Sequence, residues 1–268
     1  MTSFLTPFRL ILTIATVLSL SACAELPLQG SGSKPTSGAA SDTLRLAQAT
    51  ANSGDHATAV ELFEKALAAA PDSVEALQGA GDSYGRMGQQ LRAETVLLRA
   101  HELAPRNDEV LTILARVYLA QNLPEKALKN YDKALNINRS NVAALTGKGV
   151  ALDTMSEHHK AQKAYLTGLG MYPTNFVLRS NYAVSLALVG NSDKAISILQ
   201  ELVRDPNAAP FVRDNLALVY GLAGLENEAR ATLSLNMEAK DIEHNINIYR
   251  AFRRMKQEGK PIGALVLA

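Results

Sequence analysis

Very few residues of this chain could do covalent or metal chemistry. Cys23 is the only cysteine among 268 residues, and it stands in LSLSACAEL, residues 18–26, directly behind an apolar run. A catalytic thiol needs an imidazole partner and a pocket, and a position just behind a cleavable apolar segment offers neither. The five histidines are scattered. His158 and His159 fall at an inter-helix turn with no acid, base or further ligand at matched spacing, so they read as surface turn residues. Gly30-Ser31-Gly32-Ser33-Lys34 has the composition of a phosphate loop but not its spacing, and no apolar strand leads into it. Nor does a nucleophile elbow, zinc motif or dinucleotide fingerprint occur. The residues predict no catalytic group, no metal, no cofactor and no small-molecule substrate.

What remains for Cys23 is attachment. Arg9 is the only charged side chain before Glu25, and Leu10 to Ala22 (LILTIATVLSLSA) is apolar and ends in small residues. A charged flank, a short apolar segment and a small-residue cleavage region make a secretory signal over residues 1–22. The run is about 13 residues, against roughly 20 for a helix that crosses a bilayer. Leu20-Ser21-Ala22-Cys23 resembles the bacterial lipobox. That resemblance implies that Cys23 becomes the first residue of the mature chain, with a diacylglycerol on its sulfur. Two or three acyl chains hold a protein to a membrane, where one binds only marginally. Ala24 follows, where an Asp would, by the same resemblance, signal inner-membrane retention. The implied location is the periplasmic face of an outer membrane; a plain signal peptide with an incidental cysteine is the competing reading.

Residues 26–41, LPLQGSGSKPTSGAAS, are rich in Gly and Ser, and large apolar side chains stop after Leu28. Such a stretch cannot bury a core, so residues 23–39 read as a flexible tether. At roughly 15 residues it would let a domain stand about 20 Å off a membrane. The chain carries 27 Lys and Arg against 26 Asp and Glu, and cutting before Cys23 removes Arg9 and leaves the two equal. A neutral protein has no bulk electrostatic reason to bind nucleic acid. With no second cysteine, stability must come from packing.

From residue 40 the chain repeats every 34 residues, in units beginning at Ala40, Val74, Asp108, Val142, Phe176 and Pro210. Position 20 of the unit is always alanine: Ala59, Ala93, Ala127, Ala161, Ala195 and Ala229. Position 8 is always Ala or Gly, and positions 11 and 24 are mostly large and apolar or aromatic. Small residues at 8 and 20 let two antiparallel helices cross closely, and the larger ones fill the space beside the contact. Gly54, Gly88, Asn122, Gly190 and Gly224 fall at position 15, where the first helix must end. Pro71, Pro105 and Pro173 fall at position 32, where the second helix stops. The period and pattern resemble the tetratricopeptide repeats over residues 40–236. The fold expected is all-α: an α-solenoid of six helical hairpins over residues 40–237, then a capping helix and apolar tail over 238–268. Arg179 and Arg213 at position 4, and Arg139 and Asn207 at position 32, predict looser packing in units five and six.

In that repeat family the first helix of each unit lines a concave groove through positions 2, 5, 9 and 12. Carried over residue by residue, this implies a protein-binding groove with a charged N-terminal half: Glu75, Gln78, Asp82 and Gly85 with Arg86 beside them, then Glu109, Thr112 and Arg116. Its C-terminal half becomes largely apolar, with Val184, Phe211 and Leu218. Asn181 and Asn215 stand at position 6, where the family often uses Asn to bond a peptide backbone. Two readings of the apolar half stay open: cover by the C-terminal helix and tail, or a pocket for an extended or helical partner segment. Residues 239–258 place Ile242, Ile246, Tyr249 and Phe252 on one helix face. Arg250, Arg253, Arg254 and Lys256 read as the solvated side of that helix, with a docking patch as the alternative. The closing PIGALVLA is expected to lie along the solenoid.

The segment NLALVYGLAGLENEARATLSLNMEAKDIEHNINIYRAF, residues 215–252, resembles the tight-adherence (Flp-type) pilus assembly repeat lipoproteins. The resemblance implies a scaffold or pilotin-like assembly factor whose partner is an outer-membrane secretin or another pilus component. The alternatives are a scaffold for outer-membrane protein insertion, type IV pilus assembly or polysaccharide export, and a module that positions a cell-wall enzyme.

Overall fold

A computed structural model of the protein describes residues 37–266. Cys23, the apolar run before it and the Gly/Ser stretch up to residue 36 lie outside the described residues. Six helical hairpins follow one another. They are α1 (Ser37–Asn52) with α2 (His56–Ala69), α3 (Val74–Arg86) with α4 (Gln90–Leu103), and α5 (Asp108–Ala120) with α6 (Pro124–Ile137). Then come α7 (Val142–Thr154) with α8 (His158–Met171), α9 (Phe176–Leu188) with α10 (Ser192–Val203), and α11 (Pro210–Ala223) with α12 (Glu226–Leu233). A long α13 (Ala239–Gln257) and the single turn α14 (Gly263–Val266) close the series, and no strand occurs among the described residues. Helix α1 begins at Ser37, so helix replaces the last residues of the segment expected to be tether; Ala39 and Ala40 are strong helix formers.

The repeat pattern acts through packing. All six alanines at position 20 are fully buried, and the position-24 side chains Phe63, Leu97, Tyr131, Tyr165, Leu199 and Leu233 are buried beside them. A Cβ at Gly149 would stand 2.2 Å from the Tyr165 ring, which is why only hydrogen fits there. The residue at position 15 takes the left-handed conformation in all six units, including Asn122 at φ 58° and Ser156 at φ 63°. Asn tolerates that region; Ser does so at some strain. Ser73, Asn107, Asn141 and Asn175 then cap the first helices of units two to five, each side-chain oxygen accepting from a backbone N–H one turn on. Each such cap stabilises its helix by about 1 kcal/mol.

First helices of successive units pack on one another, whereas second helices are spread apart. The first helices therefore form the inner, concave surface of the solenoid. The second helices of the last two units are shorter than the rest: α10 has 12 residues and α12 has 8, against 14 in the first four.

Candidate protein-binding groove

In the N-terminal half, α3 and α5 present their polar stripes to a continuous concavity. A cleft of about 350 Å³ is lined by His56, Glu75, Gln78, Asp82 and Arg86. An adjoining cleft of about 460 Å³ shares Gln78 and Asp82 and adds Glu109, Thr112 and Arg116. All seven residues expected in the charged half thus line one surface. Asp82 holds it together: it accepts from Arg86 Nε at 3.0 Å, one turn on, and pairs with Arg116 of the next unit. Gln78 Nε2 donates to Glu109 Oε2 at 2.9 Å. Thr112 is buried and acts inward, its hydroxyl donating to Asp108 O and accepting from Asn141 Nδ2 at 3.1 Å. Asp108 Oδ2 also takes Asn138 Nδ2 at 2.9 Å and Asn141 Nδ2 at 2.8 Å, so three residues the repeat positions did not single out support the floor. The side chains of Arg86 and Arg116 are half exposed. Ion pairs at that exposure are worth about 0–1 kcal/mol, so an incoming segment can exchange them for its own groups at little cost.

The C-terminal half is different, because residues expected to face a partner are committed to the protein itself. Val184 is 1% exposed and belongs to the core. Phe211 and Leu218 are half-buried against the same core. Asn215 Nδ2 donates to Ser180 Oγ at 2.9 Å, and Asn181 is half-buried beside it in sequence. Near the end of α7 lies Asp153, fully buried, which gathers groups from the two following helices, α8 and α9. His158 Nδ1 is 2.8 Å from its Oδ1, Ser185 Oγ donates to Oδ1 at 2.8 Å, and the Tyr165 hydroxyl donates to Oδ2 at 3.1 Å. Burial, the Asp153 charge and this bond push the Tyr165 phenol well above its ordinary value. His158 is therefore not the surface turn residue that its position suggested. The left-handed Ser156 turns the chain so that the first residue of α8 faces the end of α7. Only His159 is exposed.

The C-terminal segment lies along the carbonyl ends of α11, α9 and α7. Arg253 Nη1 donates to Gly221 O at 3.2 Å and Lys256 Nζ to Ala187 O at 2.7 Å. Gly263 then packs so closely that a Cβ would stand 2.0 Å from Asp153 O. Gly221, Ala187 and Asp153 all occupy position 12 of their units, one of the rows assigned to the groove. Helix C-termini carry partial negative charge, which explains why cations seat there. Arg253 and Lys256 are thus inward-facing, a correction to the solvated side expected for them, whereas Arg250 is half exposed beside Glu226 and Arg254 is exposed. Arg250 and Arg253 both bond Glu226, and these bonds hold its carboxyl down at about 2. Sequence reasoning missed the arrangement because bond partners 24 to 69 residues apart carry no local signal.

Comparison with known proteins bears on which repeat this is. Two tetratricopeptide-repeat family profiles match, at residues 41–83 and 79–143. Residues 41–143 are tetratricopeptide repeats. Solved structures extend the same fold further along the chain. A thermophilic TPR protein of Thermus thermophilus superposes with a TM-score of 0.61 at 21% identity, over 67% of this chain and 98% of that one. A tetratricopeptide repeat protein from Parabacteroides merdae superposes at 0.63 and 16% identity, over 79% and 84%. These likenesses show a tetratricopeptide-repeat solenoid. Among curated proteins, the uncharacterized protein y4yS of Sinorhizobium fredii is 34% identical over 90 residues, 34% of this chain and 50% of that one. The human protein O-mannosyl-transferase TMTC3 is 27% identical over 180 residues, 63% of this chain but 19% of that one. The chain spans half or less of the length of these relatives. Tetratricopeptide-repeat proteins generally bind protein partners and act as non-catalytic scaffolds.

Proposed function

We propose that this tetratricopeptide-repeat chain is an assembly scaffold that holds an extended or helical segment of one partner protein in the N-terminal half of its groove. The observation that carries this reading is the polar concavity built by Glu75, Gln78, Asp82, Arg86, Glu109 and Arg116, beside a C-terminal half covered by the chain's own end. The partner segment would carry both signs of charge, to meet Asp82 and Glu109 on one side and Arg86 and Arg116 on the other. The lipobox-like Leu20-Ser21-Ala22-Cys23 and the Gly/Ser stretch after it support a lipid anchor at Cys23 on the periplasmic face of an outer membrane. The likeness of residues 215–252 to tight-adherence pilus lipoproteins supports an outer-membrane secretin as the partner. Affinity purification of the lipidated protein should recover a secretin, and Arg86→Glu with Arg116→Glu should reduce that recovery at least tenfold. Recovery of a peptidoglycan enzyme, or a secretin yield untouched by the charge reversals, would overturn the reading. Cys23→Ser should leave the helical circular dichroism unchanged and release the protein from outer membranes; sedimentation with them after a salt wash sinks the anchor.

A further inference from the structure

Spread second helices leave a furrow between each pair, floored by the first helix of the later unit, and most of these furrows are plugged by a tyrosine. Between α2 and α4 the plug is Tyr84, whose hydroxyl donates to Glu64 while Arg92 lies over its ring at 4.2 Å. Between α4 and α6 it is Tyr118, with Lys126 at 5.3 Å. Between α8 and α10 it is Tyr182, with Lys194 at 5.8 Å. Between α10 and α12 it is Tyr220, whose hydroxyl accepts from Gln200 at 2.8 Å. These cation–ring distances fall within the roughly 6 Å over which the ring's negative face attracts a cation.

The furrow between α6 and α8 breaks the series. Its floor offers Leu145, Lys148 and Leu152 and no ring, leaving a trough of about 740 Å³. The partners of a ring are nonetheless present. Lys160 holds position 19, as Arg92, Lys126 and Lys194 do in their units, and Asp132 holds position 25, as Glu64 and Gln200 do. Lacking a ring, Asp132 pairs with Lys148 at 2.7 Å and Lys160 with Glu157, its side chain 72% exposed. Leu128, Asp132 and Leu135 of α6 line one wall at helical spacing over about 10 Å, two turns, with Arg139 just past the helix end, which suits a helix laid alongside. Arg139 and Lys163 on the rim have no carboxylate partner among the described residues.

We propose that this furrow docks a tyrosine of a partner protein, carried on a helix with carboxylates beside it. The ring rests on Leu145 and Leu152 with its face under Lys160, the hydroxyl donates to Asp132, and the flanking carboxylates meet Arg139 and Lys163. This convex site is separate from the groove and does not depend on it. The test uses the full chain with methyl-labelled leucines, titrated by NMR with p-cresol, the tyrosine side chain itself. A fragment of that size should bind with a Kd of about 1–10 mM, moving the Leu145 and Leu152 methyls, and toluene should bind several-fold more weakly for want of the hydroxyl. Lys160→Gln should weaken p-cresol by roughly 2–5-fold, the worth of an exposed cation–ring contact. Leu152→Tyr supplies the plug within the chain and should abolish the shift at Leu145. A 14-residue helical peptide with one tyrosine between glutamates should bind at least tenfold tighter than its lysine counterpart. Unmoved methyls, toluene as tight as p-cresol, no preference for the glutamate peptide, or binding of lauric acid in place of the peptide would each overturn the proposal; the wild-type titrations decide it even if Leu152→Tyr does not fold.

Discussion

Asp153 is the residue whose removal should be felt most widely. It is fully buried and receives Ser185 Oγ at 2.8 Å and the Tyr165 hydroxyl at 3.1 Å, while His158 Nδ1 stands 2.8 Å away. In Asp153→Ala, His158 keeps an escape, since its side chain is 18% exposed and can turn to water. Tyr165 and Ser185 cannot, because neither side chain reaches solvent. Each buried group left without a partner costs about 1–3 kcal/mol, so the loss should be about 2–6 kcal/mol. For a chain of this size that lowers Tm by about 4–24 °C. Because solenoid stability is a sum of units and their interfaces, the loss should fall on α7 to α9 and spare α2 to α4. Native-state hydrogen exchange followed helix by helix reads that difference directly. Asp153→Asn is the sharper control. Its amide oxygen can still accept from His158 and Ser185 at the Oδ1 place, and its NH₂ can donate to the Tyr165 hydroxyl at the Oδ2 place. What is lost is charge assistance, about 1–2 kcal/mol, and the acceptor for the Tyr165 hydroxyl proton. A Tm for Asp153→Ala within 2 °C of the parent, or an Asn variant as unstable as the Ala variant, would refute the reasoning.

Two further expectations concern the C-terminal cap. Glu226 has its folded-state pKa at about 2, below an ordinary value of 4.5, because Arg250 and Arg253 bond its carboxylate. A depressed carboxyl stabilises fully above its unfolded value and loses that effect as pH falls through the folded one. Protection of α13 amides should therefore fall between pH 4.5 and 2, with Glu226→Gln already lacking that contribution and flat in the same window; an unchanged pH dependence in the variant would disprove the linkage. Gly263→Ala would drive a Cβ into the Asp153 carbonyl and should undock the end of the chain, exposing Ile262, which is 4% exposed in the docked state. Losing that burial costs about 1.5–3 kcal/mol, and limited proteolysis should now cut between residues 258 and 262; parental resistance would show that the segment tolerates the methyl group.

The hairpin architecture was legible in the residues because each unit is a local object. Alanine at position 20, a left-handed residue at 15 and a capping Ser or Asn before the next unit act within one hairpin, so a 34-residue period exposes them. Register along the repeat also named the polar stripe of α3 and α5, since side chains 34 residues apart on stacked helices become neighbours; Asp82 and Arg116 are such a pair. It could not tell which stripe remains accessible. Val184 sits at a groove position yet is buried in the core, and Arg253 and Lys256 of α13 looked solvated yet point at helix ends, outcomes that depend on how the helices stack and where the C-terminal segment returns. The missing plug between α6 and α8 shows the same division of labour. That unit four has Lys148 and Leu152 at positions 7 and 11, where the plugged units carry a tyrosine at one or the other, is plain in the sequence, but that this leaves a trough needed the spacing of α6 and α8. Periodicity determines which side chains each unit offers; the return of the chain's end, through contacts spanning up to 69 residues, decides which of them stay on the surface.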